Sequence, residues 1–194
     1  MKTICSMYIT MLPLILGGVA NMVFTKTSFY RAHRYPIDRY RVFRDGKRVL
    51  GDHKTVSGFC SMIVFVVFFQ MLWGLACRTW GLEAYNEWYT RCHNGLWTNV
   101  CSGFLTGLVY MLCELPNSFL KRRLGIAEGK TGRGWTGGIF FVIDQIDSLV
   151  GVFWILAVCA RLSFGRYLAY LFLGAVTHIV VNMILHRLKI RKNI

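Results

Sequence analysis

A chain of 194 residues that is 55% hydrophobic and only 16% charged is long enough for one soluble domain, but its apolar residues are gathered into blocks rather than spread over amphipathic stripes. The formal charge of +14 would suit nucleic acid, yet the basic residues fall within a few positions of those blocks, where they meet lipid headgroups instead. Both observations point away from a soluble nucleic-acid binder and toward a membrane protein.

The first block, residues 3 to 24, follows Lys2, and "GVAN" at 18 to 21 loosely resembles a signal cleavage site. The run exceeds the roughly 7 to 15 apolar residues of a signal core, so it reads as a membrane span. A polar loop with nine basic residues comes next (Lys26, Arg31, Arg34, Arg39, Arg41, Arg44, Lys47, Arg48, Lys54). Within it "RVFRDGKRVL", residues 41 to 50, sets Asp45-Gly46 between β-prone pairs and predicts a small hairpin with a tight turn. "LGDHKTVSG" then leads into the second block, which places Asp52, Lys54 and Thr55 near the headgroups.

Residues 56 to 77 hold no charge, and at about 1.5 Å per residue they cross a hydrocarbon core of roughly 30 Å. An outer loop over 78 to 95 follows; Cys92 and Cys101 could meet on that side, and the sequence leaves their pairing open. The seven cysteines otherwise show no CxxC spacing, and the five histidines form no ligand-like array. The third span, about 96 to 115, ends with Glu114 near its polar end and with Pro116 expected to disturb the helix; "SFLKRR" follows at once. "GIAEGKT", residues 125 to 131, has three residues between its glycines where a Walker loop needs four, and no strand precedes it, so it is not a phosphate loop. Gly129, Gly132, Gly134, Gly137 and Gly138 predict a mobile loop, either an idle linker or a flap over substrate.

The fourth span, 137 to 160, contains Asp144 and Asp147, and the fifth runs over about 164 to 185. The expected architecture is all-α: one polytopic integral membrane domain over 1 to 194, with about five transmembrane helices and two polar cytoplasmic loops. Eighteen basic residues lie on the side of those loops and the C-terminal tail against five on the other, so the N-terminus is placed outside and the C-terminus in the cytoplasm. Small residues in several spans are compatible with a homodimer.

Asp144 and Asp147 carry the functional question. Three residues apart on a helix they share one face, roughly 10 and 15 Å from the cytoplasmic end of the span. Each ionised acid there costs about 2.5 to 3.5 kcal/mol on the mildest scale, and neighbouring acids also repel. Protonation, a buried Lys or Arg, or a divalent cation would compensate. A helix-locking salt bridge and a proton or cation path in a transporter are two readings. The third is Mg²⁺, which takes one or two carboxylates together with phosphate oxygens and water. Lys54, Lys121, Arg122 and Arg123 at the cytoplasmic mouth supply cations for a nucleotide triphosphate, although "KRR" serves equally as a stop-transfer anchor.

"PID" (36 to 38), "RDGKRVLGDHKTVSG" (44 to 58), "SFLKRRLG" (118 to 125) and "IDQIDSLVG" (143 to 151) together resemble CDP-archaeol synthases, membrane CTP:lipid-phosphate cytidylyltransferases akin to CDP-diacylglycerol synthases. The resemblance runs from about Pro13, with Asn21 in the first span, to the last helix. It implies an enzyme of the cell membrane with a cytoplasmic active site, using Mg²⁺ to transfer CMP from CTP to an archaeal-type or phosphatidate-like lipid phosphate. Its pattern points to Asp144 and Asp147 as metal ligands and catalytic groups with Lys54 and Lys121. It points to Asp38, Asp52, Thr55, Ser118, Arg122 and Arg123 for substrate binding. Two departures stand out: Glu114 occupies a position where the family often has Asp, and Pro116-Asn117 replaces a more usual Gly-rich pair. A CDP-alcohol phosphotransferase, the nearest enzyme rival, needs D-x-x-D-G, and here Ser148 follows Asp147. A transporter would repeat its broken helices, whereas only one span carries paired acids.

Overall fold

A computed structural model describes residues 2–130, 132 and 134–190. Thr131 of the "GKT" run and the basic residues Arg133, Arg191 and Lys192 lie outside the described residues. The chain forms α1 (Lys2–Phe24), the short α2 (Ser28–Ala32), α3 (Val56–Thr79), α4 (Leu96–Arg123), α5 (Gly134–Ala160) and α6 (Phe164–Arg187). Five of these, all but α2, are long and apolar enough to cross a membrane. The protein is an all-α integral membrane protein.

Two boundaries differ from expectation. α4 continues through Pro116 to Arg123, where a break was expected. A single proline removes only the donor to the carbonyl four residues back. The helix formers beyond it carry Lys121, Arg122 and Arg123 into the last turn, where cations suit the negative end of the helix dipole. Twenty-eight residues make α4 about 42 Å long, so its final turns reach past the hydrocarbon core. α5 begins at Gly134, so Gly137 and Gly138 are helical rather than part of a loop. Gly134 itself has φ +59°, a left-handed entry that glycine adopts without a Cβ clash.

Neighbouring helices pack in the order α1, α3, α4, α5, α6, while α1 and α6 touch only slightly. The core is Met7, Met11 and Leu14 of α1, Met62 and Val66 of α3, Met111 of α4, Leu149 and Phe153 of α5, and Tyr170 of α6. α3 and α4 approach backbone to backbone: a Cβ on Gly107 would stand 2.8 Å from Ile63 Cα. That is the close packing small residues permit between membrane helices.

The two polar loops meet at one end. The hairpin is present, with Phe43 N–H donating to Lys47 O (2.8 Å), Val49 N–H to Arg41 O (3.0 Å) and Gly46 N–H closing the turn on Phe43 O (3.0 Å). Asp52 N–H reaches across to Glu128 Oε2 (2.9 Å), tying the first loop to the second. At the opposite end, buried Glu87 pairs with Arg166 and its N–H donates to Thr10 Oγ1 (3.0 Å), seating the connection between α3 and α4 on the bundle. Cys92 and Cys101 are both exposed free thiols.

Candidate active site

At the end that carries the loops, α1, α3, α4, α5 and the loop segments enclose a polar cavity of about 1340 Å³. One face of α4 lines it at spacings of three and four residues: Glu114, Asn117, Ser118 and Lys121, with Arg122 beside them. From α5 come Asp144 and Asp147. The two carboxylates do converge. Asn117 Nδ2 donates to Asp144 Oδ1 (2.7 Å) and to Asp147 Oδ2 (2.6 Å). Lys121 Nζ donates to Asp144 Oδ1 (2.6 Å), 5.7 Å from the centroid of the Phe140 ring. Asp147 forms no ion pair among the described residues; its Oδ1 accepts from Ser148 N–H (2.6 Å) and Oγ (3.0 Å). Lys54 enters from the start of α3 and pairs with Glu114.

The remaining predicted residues divide between cavity and scaffold. Ser118 and Arg122 line the cavity. Thr55 lines it too, but its Oγ1 caps α3 by accepting from Gly58 N–H (3.1 Å) and lies 2.8 Å from Tyr30 Oη. Asp38 is buried in the first loop instead. Its Oδ1 accepts from Tyr40 N–H (3.1 Å) and Arg48 Nη2 (2.7 Å), and its Oδ2 from Arg48 Nε (3.3 Å), Leu50 N–H (2.9 Å) and Gly51 N–H (3.0 Å). Burial alone would raise this carboxyl, but the Arg48 bond and the three backbone donors outweigh it and bring it down to about 2. The Asp38 bond likewise pushes Arg48 above its usual range. Asp52 turns its Oδ1 to Arg48 Nη1 (2.7 Å). Arg123 leaves the cavity for the hairpin, pairing with Asp45, donating to Lys47 O (3.2 Å) and stacking over Phe43 and Phe119. Asp38, Asp52 and Arg123 therefore shape the wall that presents Lys54.

The sequence reading passed over Asn117 and the pairing of Glu114 with Lys54. The signal for both was helical: 114, 117, 118 and 121 fall on one face once α4 is allowed to run through Pro116.

The acid pair offers carboxylate oxygens, and buried Asn117 Oδ1 has no hydrogen-bond partner among the described residues. No group of three or more His, Cys, Asp or Glu side chains that could hold a metal gathers among the described residues. Two carboxylates would suit a hard cation such as Mg²⁺, which completes its shell with phosphate and water rather than requiring a closed protein cage, and Asp144 and Asp147 are the residues that could hold it.

Next to the polar cavity, an apolar cleft runs between α1 and α6, walled by Met11, Leu14, Val19, Leu149, Phe153 and Leu185. Gly18, Met22, Tyr110 and His178 line both spaces, so the cleft and the cavity share a wall. The arrangement offers cations and a cation site for phosphates at one end, and an apolar slot for a chain beside it.

Comparison with known proteins leads to the same place. The family model described as CarS-like CDP-archaeol synthase matches residues 4–194. The CDP-archaeol synthase of Sulfurisphaera tokodaii is 30% identical over 157 residues, covering 80% of this chain and 79% of that protein. That of Thermofilum pendens is 28% identical over 173 residues, covering 89% and 72%. That of Methanoculleus marisnigri is 34% identical over 118 residues, covering 61% and 60%. A solved intramembrane enzyme for archaeal membrane lipids biosynthesis shares the fold, with a TM-score of 0.62 at 21% identity over 91% of this chain and 92% of that one.

Proposed function

The chain belongs to the CDP-archaeol synthase family, and from that premise we propose that it transfers CMP from CTP to the phosphate of a membrane lipid, with the active site open to the cytoplasm. An oxygen of the lipid phosphate forms a new bond to the α-phosphorus of CTP. The α–β phosphoanhydride bond breaks, and pyrophosphate leaves with the electron pair. The lipid phosphate is anionic near neutral pH, so no strong general base is needed. Asp144 and Asp147 would hold Mg²⁺, which would supply charge neutralisation at the nucleotide phosphates. Lys54, Lys121 and Arg122 face the charge that builds on the departing pyrophosphate.

The observation that carries this reading is the meeting of the acid pair and these cations in one cavity that adjoins an apolar cleft. Its volume exceeds the roughly 300 to 1,000 Å³ of a single small-ligand pocket, as a site for both a nucleotide and a lipid headgroup requires. The cleft accepts ether-linked isoprenoid and ester-linked fatty chains alike; the family favours the archaeal ether lipid. The eighteen basic residues that the sequence gathers in the two polar loops and the C-terminal tail, fifteen of them among the described residues, support a cytoplasmic mouth and an outer N-terminus. A transporter reading gains nothing here, because Leu149, Val152 and Phe153 close the interior beyond the acids with apolar core.

Purified protein in detergent, given CTP, Mg²⁺ and a panel of phosphorylated lipids, is expected to release pyrophosphate and form a CDP-lipid. Asp144→Asn and Asp147→Asn each lower turnover by about a hundredfold or more. Wild-type turnover in both variants refutes the assignment of the acid pair.

A further inference from the structure

Two carboxylates converging in a membrane protein require something between them. Lys121 answers for Asp144, but Asp147 has no cationic partner among the described residues. What joins the two acids is a neutral side chain, Asn117, whose Nδ2 directs one N–H to each. Asn117 lines the same cavity but is only 7% exposed, and its Oδ1, closed off from the cavity, has no hydrogen bond among the described residues. A buried carbonyl oxygen left unsatisfied costs about 1 to 3 kcal/mol, so a purely structural amide is poorly placed here.

We propose that Asn117 is a positioning residue that clamps Asp144 and Asp147 into one divalent-cation site. The proposal rests on the cation reading of the acid pair. An amide suits this place for a reason neither an acid nor an apolar residue shares. Its two N–H groups hold two like charges together without adding a third negative charge. Position 117 is on α4 and the acids are on α5, so the clamp also fixes how these two helices register against each other at the site.

The test uses the full-length protein in detergent with Mn²⁺ as the probe and no nucleotide or lipid, so that nothing depends on turnover. Free Mn²⁺ is followed by its electron paramagnetic resonance signal. Asn117→Leu keeps the branched shape but removes the N–H donors. Its Mn²⁺ dissociation constant is expected to rise about 10- to 100-fold, the usual penalty for losing a group that orients metal ligands. Asn117→Asp keeps oxygens and removes the donors. It is expected to melt below wild type in EDTA and to gain more from Mn²⁺ than wild type does.

Affinity within about twofold of wild type in Asn117→Leu, with binding lost in Asp144→Asn, overturns the clamp and leaves the cation site standing. Unaltered binding in Asp144→Asn and Asp147→Asn as well overturns the cation reading, and the clamp with it. Should Asn117→Leu fail to fold, Asn117→Asp decides: wild-type melting in EDTA together with a wild-type response to Mn²⁺ overturns the proposal.

Discussion

Replacing Asp38 by Asn separates scaffold from site. Oδ1 of Asp38 receives two donors and Oδ2 receives three, from Tyr40, Leu50, Gly51 and Arg48. An asparagine has one acceptor oxygen, so whichever way its amide turns, at least two donors face an NH₂ group. The folded carboxyl lies at about 2 against a usual 3.8, which corresponds to roughly 2 to 3 kcal/mol of loop stability. Because the folded value is the lower one, this stability is fully present above about pH 4 and is lost as pH falls toward 2. Orphaned donors add about 1 to 3 kcal/mol each, with much of that recovered by relaxation and water at this loop. Hydrogen exchange of the Leu50 and Gly51 amides, corrected for intrinsic rates, should lose protection about 50- to 1,000-fold in Asp38→Asn at pH 7. The wild-type protein should lose protection on acidification through the same window. Turnover falls in parallel, since Leu50 and Gly51 lead directly to Lys54. If the Leu50 and Gly51 amides stay protected while CTP binding weakens, Asp38 touches substrate and its role as a loop hub is wrong.

Gly107→Ala forces α3 and α4 apart, because the added Cβ would stand 2.8 Å from Ile63 Cα. A cost of about 1 to 3 kcal/mol should appear as a lower melting temperature in detergent, and an unchanged value would mean that the helices part without loss. Gly18 lines both the cavity and the cleft, and a Cβ there meets nothing within 4 Å. Gly18→Leu should therefore fold normally and raise KM for the lipid phosphate with little change in KM for CTP; the reverse pattern would remove the cleft from the lipid's path.

The spans were legible because hydrocarbon tolerates few charges, so runs of twenty or more apolar residues announce themselves. The helix boundaries were less legible, because a local penalty counts only in its context. Pro116 costs one hydrogen bond, yet the residues after it have every reason to stay helical. Gly137 and Gly138 are poor helix formers that α5 carries regardless. Asp144 and Asp147 stood out because an ionised acid inside an apolar run demands an explanation. Asn117 did not, since an amide after a proline is unremarkable until Pro116 is known to lie within the helix. "KRR" shows the limit most plainly. Successive residues on a helix point about 100° apart, so Lys121 turns to Asp144 while Arg123 turns to the hairpin, and composition alone treats them as one cluster.

The pairing of charges within the cavity bears on how the substrates enter. Lys54 is held by Glu114 and Lys121 by Asp144, so the groups assigned to phosphates and to the cation neutralise one another. A membrane-embedded site cannot cheaply leave such charges alone. On the proposed function, nucleotide arriving without the cation would draw Lys121 away and strand Asp144. The cation arriving without nucleotide would claim Asp144 and strand Lys121. Each ligand thus bears a cost that the other removes, and thermodynamic linkage makes the coupling reciprocal. Binding of both together is an exchange of partners in which Asp144 and Lys121 each trade the other for a new counter-charge.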